Sequence, residues 1–247
     1  MQPQNLSMAE VKPYSAEGSK KQQVAEMFDN ISKRYDFLNH LLSLGIDKGW
    51  RNKVVRMVKA DNPTHVLDVA TGTGDLAIAL SKGMPGVAIK GADISAGMLE
   101  IGKEKVKKGG YTNVELILGD GENLPFDANT FDAVTVAFGV RNFENLEKGL
   151  QDLYRVIKPG GQLVVLEFSQ PEKAPFKQLY NFYFKNILPG IGKMVSKDAR
   201  AYTYLPESVQ AFPYGDAFLK KLAASGFTSN TSRTVTFGIA SIYQGRK

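Results

Sequence analysis

The chain is predicted to fold as an α/β domain on a doubly wound, mostly parallel sheet that ends in an antiparallel hairpin. Three observations carry that expectation. Five β-rich runs alternate with stretches of helical periodicity between residues 65 and 169, the pattern of successive βαβ units. Two glycines, Gly72 and Gly74, stand at the first strand-to-helix turn, where sheets of this kind hold their ligands. The closing stretch "FTSNTSRTVTFGIASIYQGR" contains two more β-rich runs that meet near Phe237 and Gly238, as a hairpin would.

In chain order, a helical pattern covers 21–34, and short amphipathic pieces follow at 38–44 and 48–58. The strands are "HVLDVA" (65–70), "VAIKGAD" (87–93), "VELILGD" (114–120), "FDAVTVAF" (131–138) and "GQLVVLEFS" (161–169). Helices are expected near 75–82, 97–108 and 145–157, with later ones at 175–188 and 215–224. With 247 residues, 43% of them apolar, the chain suffices for one well-buried core but hardly for two ordinary domains. The organisation expected is a flexible tail over 1–20 and a single domain over 21–247, with a helical cap at 21–60 and a helical insertion at 170–214.

Composition excludes several chemistries. There is no cysteine, hence no disulfide, thiolate metal site or cysteine nucleophile. His40 and His65 are the only histidines, so no metal is expected. No apolar run matches a membrane span or a signal peptide, and a cytoplasmic location is expected. The net charge of +6 is concentrated in one place: Lys173, Lys177, Lys185, Lys193, Lys197 and Arg200 face a single acid, Asp198. Such a segment suits the phosphates of nucleic acid or of anionic lipid, or is a solvated helix face.

The glycine loop lets the backbone turn tightly and approach a ligand, and the helix behind it offers unpaired N–H groups. Alone, Gly72-x-Gly74-x-x-Ala77 also fits a relaxed dinucleotide fingerprint. Asp68 and Asp75 flank the loop with carboxylates, an arrangement suited to an ammonium and a sulfonium rather than a pyrophosphate. Asp93, at the end of the second strand, can accept both ribose hydroxyls. At the end of the third, Asp120 can receive an adenine amino group while Gly121 leaves room for the ring.

At these residues the sequence resembles the class I S-adenosylmethionine-dependent methyltransferases, a Rossmann-like fold. A narrower resemblance spans nearly the whole chain. "AEMFDNISKRYDFLNHLLSLGIDKGWR" and "RVIKPGGQLVVLEFS" are similar to two blocks of the quinone-biosynthesis C-methyltransferases, which methylate demethylmenaquinol or a polyprenyl-methoxy-benzoquinol. "FGVRNF" and "YTYLPESVQAFP" are family-like as well. The first block departs from the family at Leu38, where methionine is usual, and at Asp47, where histidine is expected. The resemblance implies that Thr71, Asp93, Asp120 and Gly121 bind S-adenosylmethionine, with Gly72 and Gly74 shaping the pocket. Family members often carry serine where Ala137 stands, so one hydroxyl contact is expected to be missing.

Methyl transfer to carbon asks chiefly for positioning: an in-line approach of roughly 3 to 3.5 Å to an electron-rich ring carbon. Arg141 and Asn142, just beyond the fourth strand, are the candidates facing the methyl. Arg141 would stabilise the quinol oxyanion and orient a water, with Asn142 holding that geometry; a salt bridge at the entry of the following helix is the structural alternative for Arg141. Tyr35, Asp36 and Asn39 could close the pocket from the cap, although core and capping roles fit them equally. On a helix begun by Pro175, the residues Phe176, Tyr180, Tyr183, Phe184 and Ile187 share one face. That face packs in the core, lines the channel for a prenyl tail with Tyr183 on the substrate, or does both. Lysines at its margin would meet an anionic membrane surface, giving peripheral association with its inner face. Monomer and homodimer stay open.

Three rivals are weaker. Tyr154 and Lys158 have the spacing of a short-chain dehydrogenase pair but precede Pro159-Gly160-Gly161 at a helix end. A nucleic-acid methyltransferase would explain the basic segment, yet its Asn/Asp-Pro-Pro-aromatic loop is missing. A lipid-binding module without catalysis has no need of three strand-end acids.

Overall fold

The computed structural model describes residues 8–43, 45–182, 186 and 200–247, and the backbone alone of residues 34, 37–43, 181 and 202. Its strands are β1 (His65–Val69), β2 (Ala88–Asp93), β3 (Val114–Leu118), β4 (Phe131–Ala137), β5 (Ile157–Phe168), β6 (Thr228–Val235) and β7 (Ala240–Arg246). They form one sheet in the order β3-β2-β1-β4-β5-β7-β6. β1 to β5 pair in parallel, and β7 lies antiparallel between β5 and β6. Val66, Leu67, Asp68 and Val69 of β1 are all buried, because helices cover both faces of a parallel sheet. Strand order reverses between β1 and β4, which opens a crevice at their carboxyl ends.

The helices are α1 (Lys20–Ser43), α2 (Ile46–Lys59), α3 (Asp75–Gly83), α4 (Ala96–Gly109), α5 (Leu146–Val156), α6 (Phe176–Phe182), α7 (Arg200–Ala211) and α8 (Asp216–Ala224). Local signals set several boundaries. Gly74, at φ 79°, turns the chain into α3. The Ser95 hydroxyl accepts from the Met98 N–H to cap α4, and Asn145 accepts from the Lys148 N–H to cap α5. α5 buries Leu146, Leu150, Leu153 and Val156 along one stripe against Val134, Val136, Leu163 and Val165, with Phe218 and Leu222 of α8 beside them. Truncating Leu150 to alanine is expected to cost about 2–5 kcal/mol. On the opposite face, Trp50, Val54, Val58, Leu76 and Leu80 pack on Val66, Ile89 and Val164.

Two expectations are corrected. The patterns at 21–34 and 38–44 belong to one helix, α1, since no breaker separates them. The leading residues do not trail loosely from residue 8 onward: Val11 is buried with Val24, Met27, Ala201 and Tyr204, an apolar cluster that ties the lead to α1 and α7. Within the insertion expected to be helical over 170–214, most of the "YTYLPESVQAFP" segment lies on α7, which continues through Pro206. Of the helix expected over 175–188, α6 covers residues 176–182; Tyr183, Phe184, Lys185 and Ile187 lie outside the described residues.

Candidate active site

The crevice is roofed by α1 and walled by the ends of β1, β2 and β4. Its open space is about 660 Å³, mouth included. Ala70 and Phe138, which follow β1 and β4, both adopt positive φ, 53° and 59°. Strain of this kind in non-glycine residues gathers at functional sites. A Cβ on Gly139 would stand 2.4 Å from the Cβ of Ala70, so only glycine lets the two strand ends approach this closely.

Asp93 is the polar centre of one wall. Its Oδ2 accepts the Gly72 N–H at 2.7 Å and its Oδ1 the Ser95 N–H at 2.8 Å. Burial pushes its carboxyl up to about 6, against the pull of those backbone N–H groups. Each oxygen keeps a further lone pair for a hydroxyl donor. Asp29 of α1 accepts from the Ser95 hydroxyl and the Gly97 N–H, which docks the roof onto the start of α4.

Asp120 and Gly121 form the adjoining wall. Asp120 Oδ1 accepts the Glu122 N–H at 2.9 Å, and its Oδ2 accepts Lys21 Nζ from the first turn of α1 at 2.6 Å. Gly121 has no room for a side chain, since a Cβ there would meet the Phe143 ring at 2.8 Å. Asn142 lies across the crevice on a 3-10 turn, Val140–Asn142. Its Oδ1 accepts the Tyr204 hydroxyl at 3.2 Å, and its Nδ2 donates to the Phe138 carbonyl at 3.4 Å. Tyr35, packed edge-on against Phe28, closes the roof together with Val24 and Phe28.

Other predicted residues are not on the wall. Asp68 is buried behind the glycine loop and accepts the Thr71 and Thr135 hydroxyls at 2.6 and 2.8 Å. Burial raises it to about 6. Asp68 and Thr71 therefore brace the loop from within, and Gly74 supplies its turn. Asp75 pairs with Lys105 and lies 3.4 Å from Arg51. Asp36 takes the Thr73 hydroxyl at 2.5 Å and Lys105 at 2.9 Å. The expectation that Asp68 and Asp75 face a cation is corrected, because each already has partners inside the fold. At the divergent position, Asp47 is buried in an ion pair with Arg51. Asn39 lies on α1 with its side chain outside the described residues, as is the whole of Tyr183.

Arg141 is the largest correction. Only 5% exposed, it sends Nη1 to Glu167 Oε1 at 2.7 Å and to the Phe138 carbonyl, with its guanidinium over the Phe168 ring. The cause is Glu167, a fully buried carboxylate on β5, which requires a counter-charge. The lone glutamate inside "LVVLEF" was the sequence signal for this pairing. Sequence reasoning also missed Lys20, Lys21 and Tyr204, for which a lysine pair at a helix start and a tyrosine in a family-like segment offer little to read. Among the described residues no group of His, Asp or Glu could hold a metal ion.

A doubly wound sheet with a closing antiparallel hairpin and a glycine loop at the first strand-to-helix turn is the Rossmann-like fold of the S-adenosylmethionine-dependent methyltransferases. Solved structures agree on the fold: a SAM-dependent methyltransferase from Thermotoga maritima superposes with a TM-score of 0.63 at 19% identity, covering 90% of this chain and 99% of that one. The [4+2]-cyclase SpnF superposes with a TM-score of 0.65 at 16% identity, over 92% and 96% of the two chains, so the fold alone does not specify methyl transfer. Sequence does more. Residues 16–247 match the ubiE/COQ5 methyltransferase family model, and the chain belongs to that family. It is 46% identical over 244 residues to the demethylmenaquinone methyltransferase of Bacteroides fragilis, covering 98% of this chain and 100% of the relative. The ubiquinone/menaquinone biosynthesis C-methyltransferase of Geotalea daltonii is 45% identical over 230 residues, 92% and 97% of the two chains.

Proposed function

We propose that this enzyme transfers the methyl group of S-adenosylmethionine to a ring carbon of demethylmenaquinol, the step that completes menaquinone. The observation that carries this reading is the pairing of Asp93 and Asn142 on opposite walls of one crevice, in a chain whose full-length relatives bear that activity in their names. S-adenosylmethionine supplies an electrophilic methyl on a sulfonium. Asp93 receives the ribose hydroxyls, Asp120 the adenine amino group, and Gly72 allows the backbone to lie close. Val24, Phe28, Tyr35 and Phe138 exclude water and offer an apolar bed to a quinol ring. Asn142, held by Tyr204, orients the ring hydroxyl; as that hydroxyl gives up its proton, electron density rises at the neighbouring carbon, which takes the methyl while the neutral thioether departs, and the ring proton on that carbon is then lost to water. Arg141 acts from behind this wall: paired with Glu167, it fixes the turn that presents Asn142. A prenylated methoxy-benzoquinol is the second substrate, in the manner suggested by the Geotalea relative's name.

The enzyme reaches its lipid substrate from the membrane surface. No helix among the described residues is long and apolar enough to cross a membrane. α6 exposes Leu179 and Phe182, and Phe176 of α6 stacks at 3.8 Å on Phe237, which is 67% exposed at the hairpin tip. Lys173 and Lys177 are exposed beside them, so apolar and cationic groups share one edge, as interfacial elements do.

Incubation with S-adenosylmethionine and each reduced quinone in turn, followed by product mass, tests the reaction and the ring class together. A mass gain of one methyl on demethylmenaquinol is expected; loss of S-adenosylmethionine with no methylated quinol would refute it.

A further inference from the structure

Lys20, the first residue of α1, is fully buried although it carries an ammonium. Its Nζ donates to three carbonyls from separate stretches of chain: Met8 at 2.7 Å, Arg141 at 3.1 Å and Phe143 at 3.2 Å. An ammonium has three N–H donors and no acceptor, so three carbonyls satisfy it completely. Two of them belong to the peptide units on either side of Asn142 and Phe143, the stretch that forms one wall of the crevice. The junction is stitched a second time through Glu144, which accepts the Lys20 backbone N–H at 2.7 Å and the Ser19 hydroxyl at 3.1 Å. Glu122 in turn accepts the Glu144 N–H at 2.7 Å.

We propose that Lys20 is a positioning residue for methyl transfer: its ammonium clamps the Arg141 and Phe143 carbonyls, setting the attitude of Asn142, and joins that turn to the leading segment through Met8. The clamp requires the charged form, since a neutral amine has two N–H donors for three carbonyls. The charged groups that face it are Arg141 on the 3-10 turn, Glu122 beyond β3 and Glu144 ahead of α5, with Lys21 next to it on α1. Burial, and then Arg141, lower Lys20 to about 8, while Glu122 and Glu144 pull it up. The turn therefore loses one of its ties as pH rises through that region.

This inference rests on Asn142 as the group that orients substrate, and the test separates the two. In the full-length protein without substrate, the amide resonances of Asn142 and Glu144, which share peptide units with the clamped carbonyls, should titrate together with a midpoint near 8. They should not do so in Lys20→Met. With S-adenosylmethionine and a short-tailed quinol, Lys20→Met should lower kcat by about tenfold or more at pH 7, the scale of a small misplacement of a reacting group, and leave the KM for S-adenosylmethionine within about twofold. The ratio of parent to Lys20→Met kcat should shrink above pH 8, a comparison in which ionisation of the quinol cancels. Lys20→Arg, charged throughout, should recover part of the activity and flatten that decline. Absence of a common titration of these two amides at any pH short of alkaline unfolding of the parent protein overturns the clamp even if the variants do not fold. A Lys20→Met enzyme with parental kcat at every pH overturns the positioning role. Failure of the parent to methylate any quinol would instead strike the proposed function and leave the amide titration to decide the clamp.

Discussion

The two walls of the crevice handle charge in opposite ways. On the β1–β2 side, Asp93 is held by backbone N–H groups from Gly72 and Ser95, so among the described residues its carboxylate has no cationic side chain as a hydrogen-bond donor and keeps acceptor capacity for a ligand. On the β4–β5 side, Arg141 and Glu167 are turned on each other, and a neutral amide, Asn142, is what meets the crevice. The contrast teaches that a charged residue in a family-like motif need not be the group that touches the substrate. A carboxylate whose oxygens are taken up inside the fold becomes scaffold; one that keeps acceptor capacity facing the crevice, as Asp93 does beside its backbone donors and Asp120 does beside Lys21, remains available for recognition.

The strongest way to break this comparison is to remove one half of the internal pair. Glu167→Ala leaves a buried guanidinium without its partner and should cost about 3–5 kcal/mol in urea unfolding. Arg141→Ala should cost a similar amount and also lower turnover, because the turn bearing Asn142 loosens. A double replacement, Arg141→Met with Glu167→Met, should regain much of the stability but not the activity. If Glu167→Ala unfolds like the parent, the pair is not scaffold.

Asp93→Ala removes hydrogen bonds to a charged acceptor, each worth about 1.5–3 kcal/mol, and should weaken S-adenosylmethionine binding by at least about tenfold in calorimetric titration. Asp68→Asn, behind the loop, should disturb affinity much less. Acidity sharpens the distinction. On the proposed ribose role, Asp93 accepts the two hydroxyls most strongly when ionised, so affinity should fall as pH drops through about 6. Stability moves in the opposite direction: Asp68 and Asp93 are both raised to about 6. The stability they contribute is full below their ordinary range near 4 and is lost as pH rises through about 6. Parallel trends in affinity and stability across that window would contradict the assignment.

Gly121→Ala should destabilise by about 1–3 kcal/mol through overpacking on Phe143, read as a lower denaturation midpoint. Smallest of all, Lys173→Gln or Lys177→Gln alone should reduce binding to anionic vesicles by about 1 kcal/mol, an effect that added salt imitates in the parent. Cosedimentation equal to that of the parent would make these lysines a solvated face.

Much of this architecture was legible before any coordinates. The β1 to β5 alternation, the glycine turn and the closing hairpin are written in local periodicity, because strand and helix repeat at different intervals and glycine marks positive φ. Asp93, Asp120 and Gly121 were legible as residues that line the crevice, because chain topology alone carries strand ends there. Less legible was which acids would stay open to a ligand. Asp68, Asp75 and Asp93 look alike in the sequence, and their difference comes from Thr71 and Thr135, from Lys105 and Arg51, and from Gly72 and Ser95.

The sequence by itself determined the class of sheet, the place of the crevice and the family, since these follow from short-range pattern and from motifs a few residues long. Tertiary structure alone decided that Arg141 is turned onto Glu167, that Lys20 is buried among the carbonyls of Met8, Arg141 and Phe143, and that Tyr204 holds Asn142. Each of these depends on two groups far apart in the chain meeting within hydrogen-bond distance. Whether a charge recognises a ligand or supports the fold is set by such partners and by burial, and neither is encoded in the neighbouring residues.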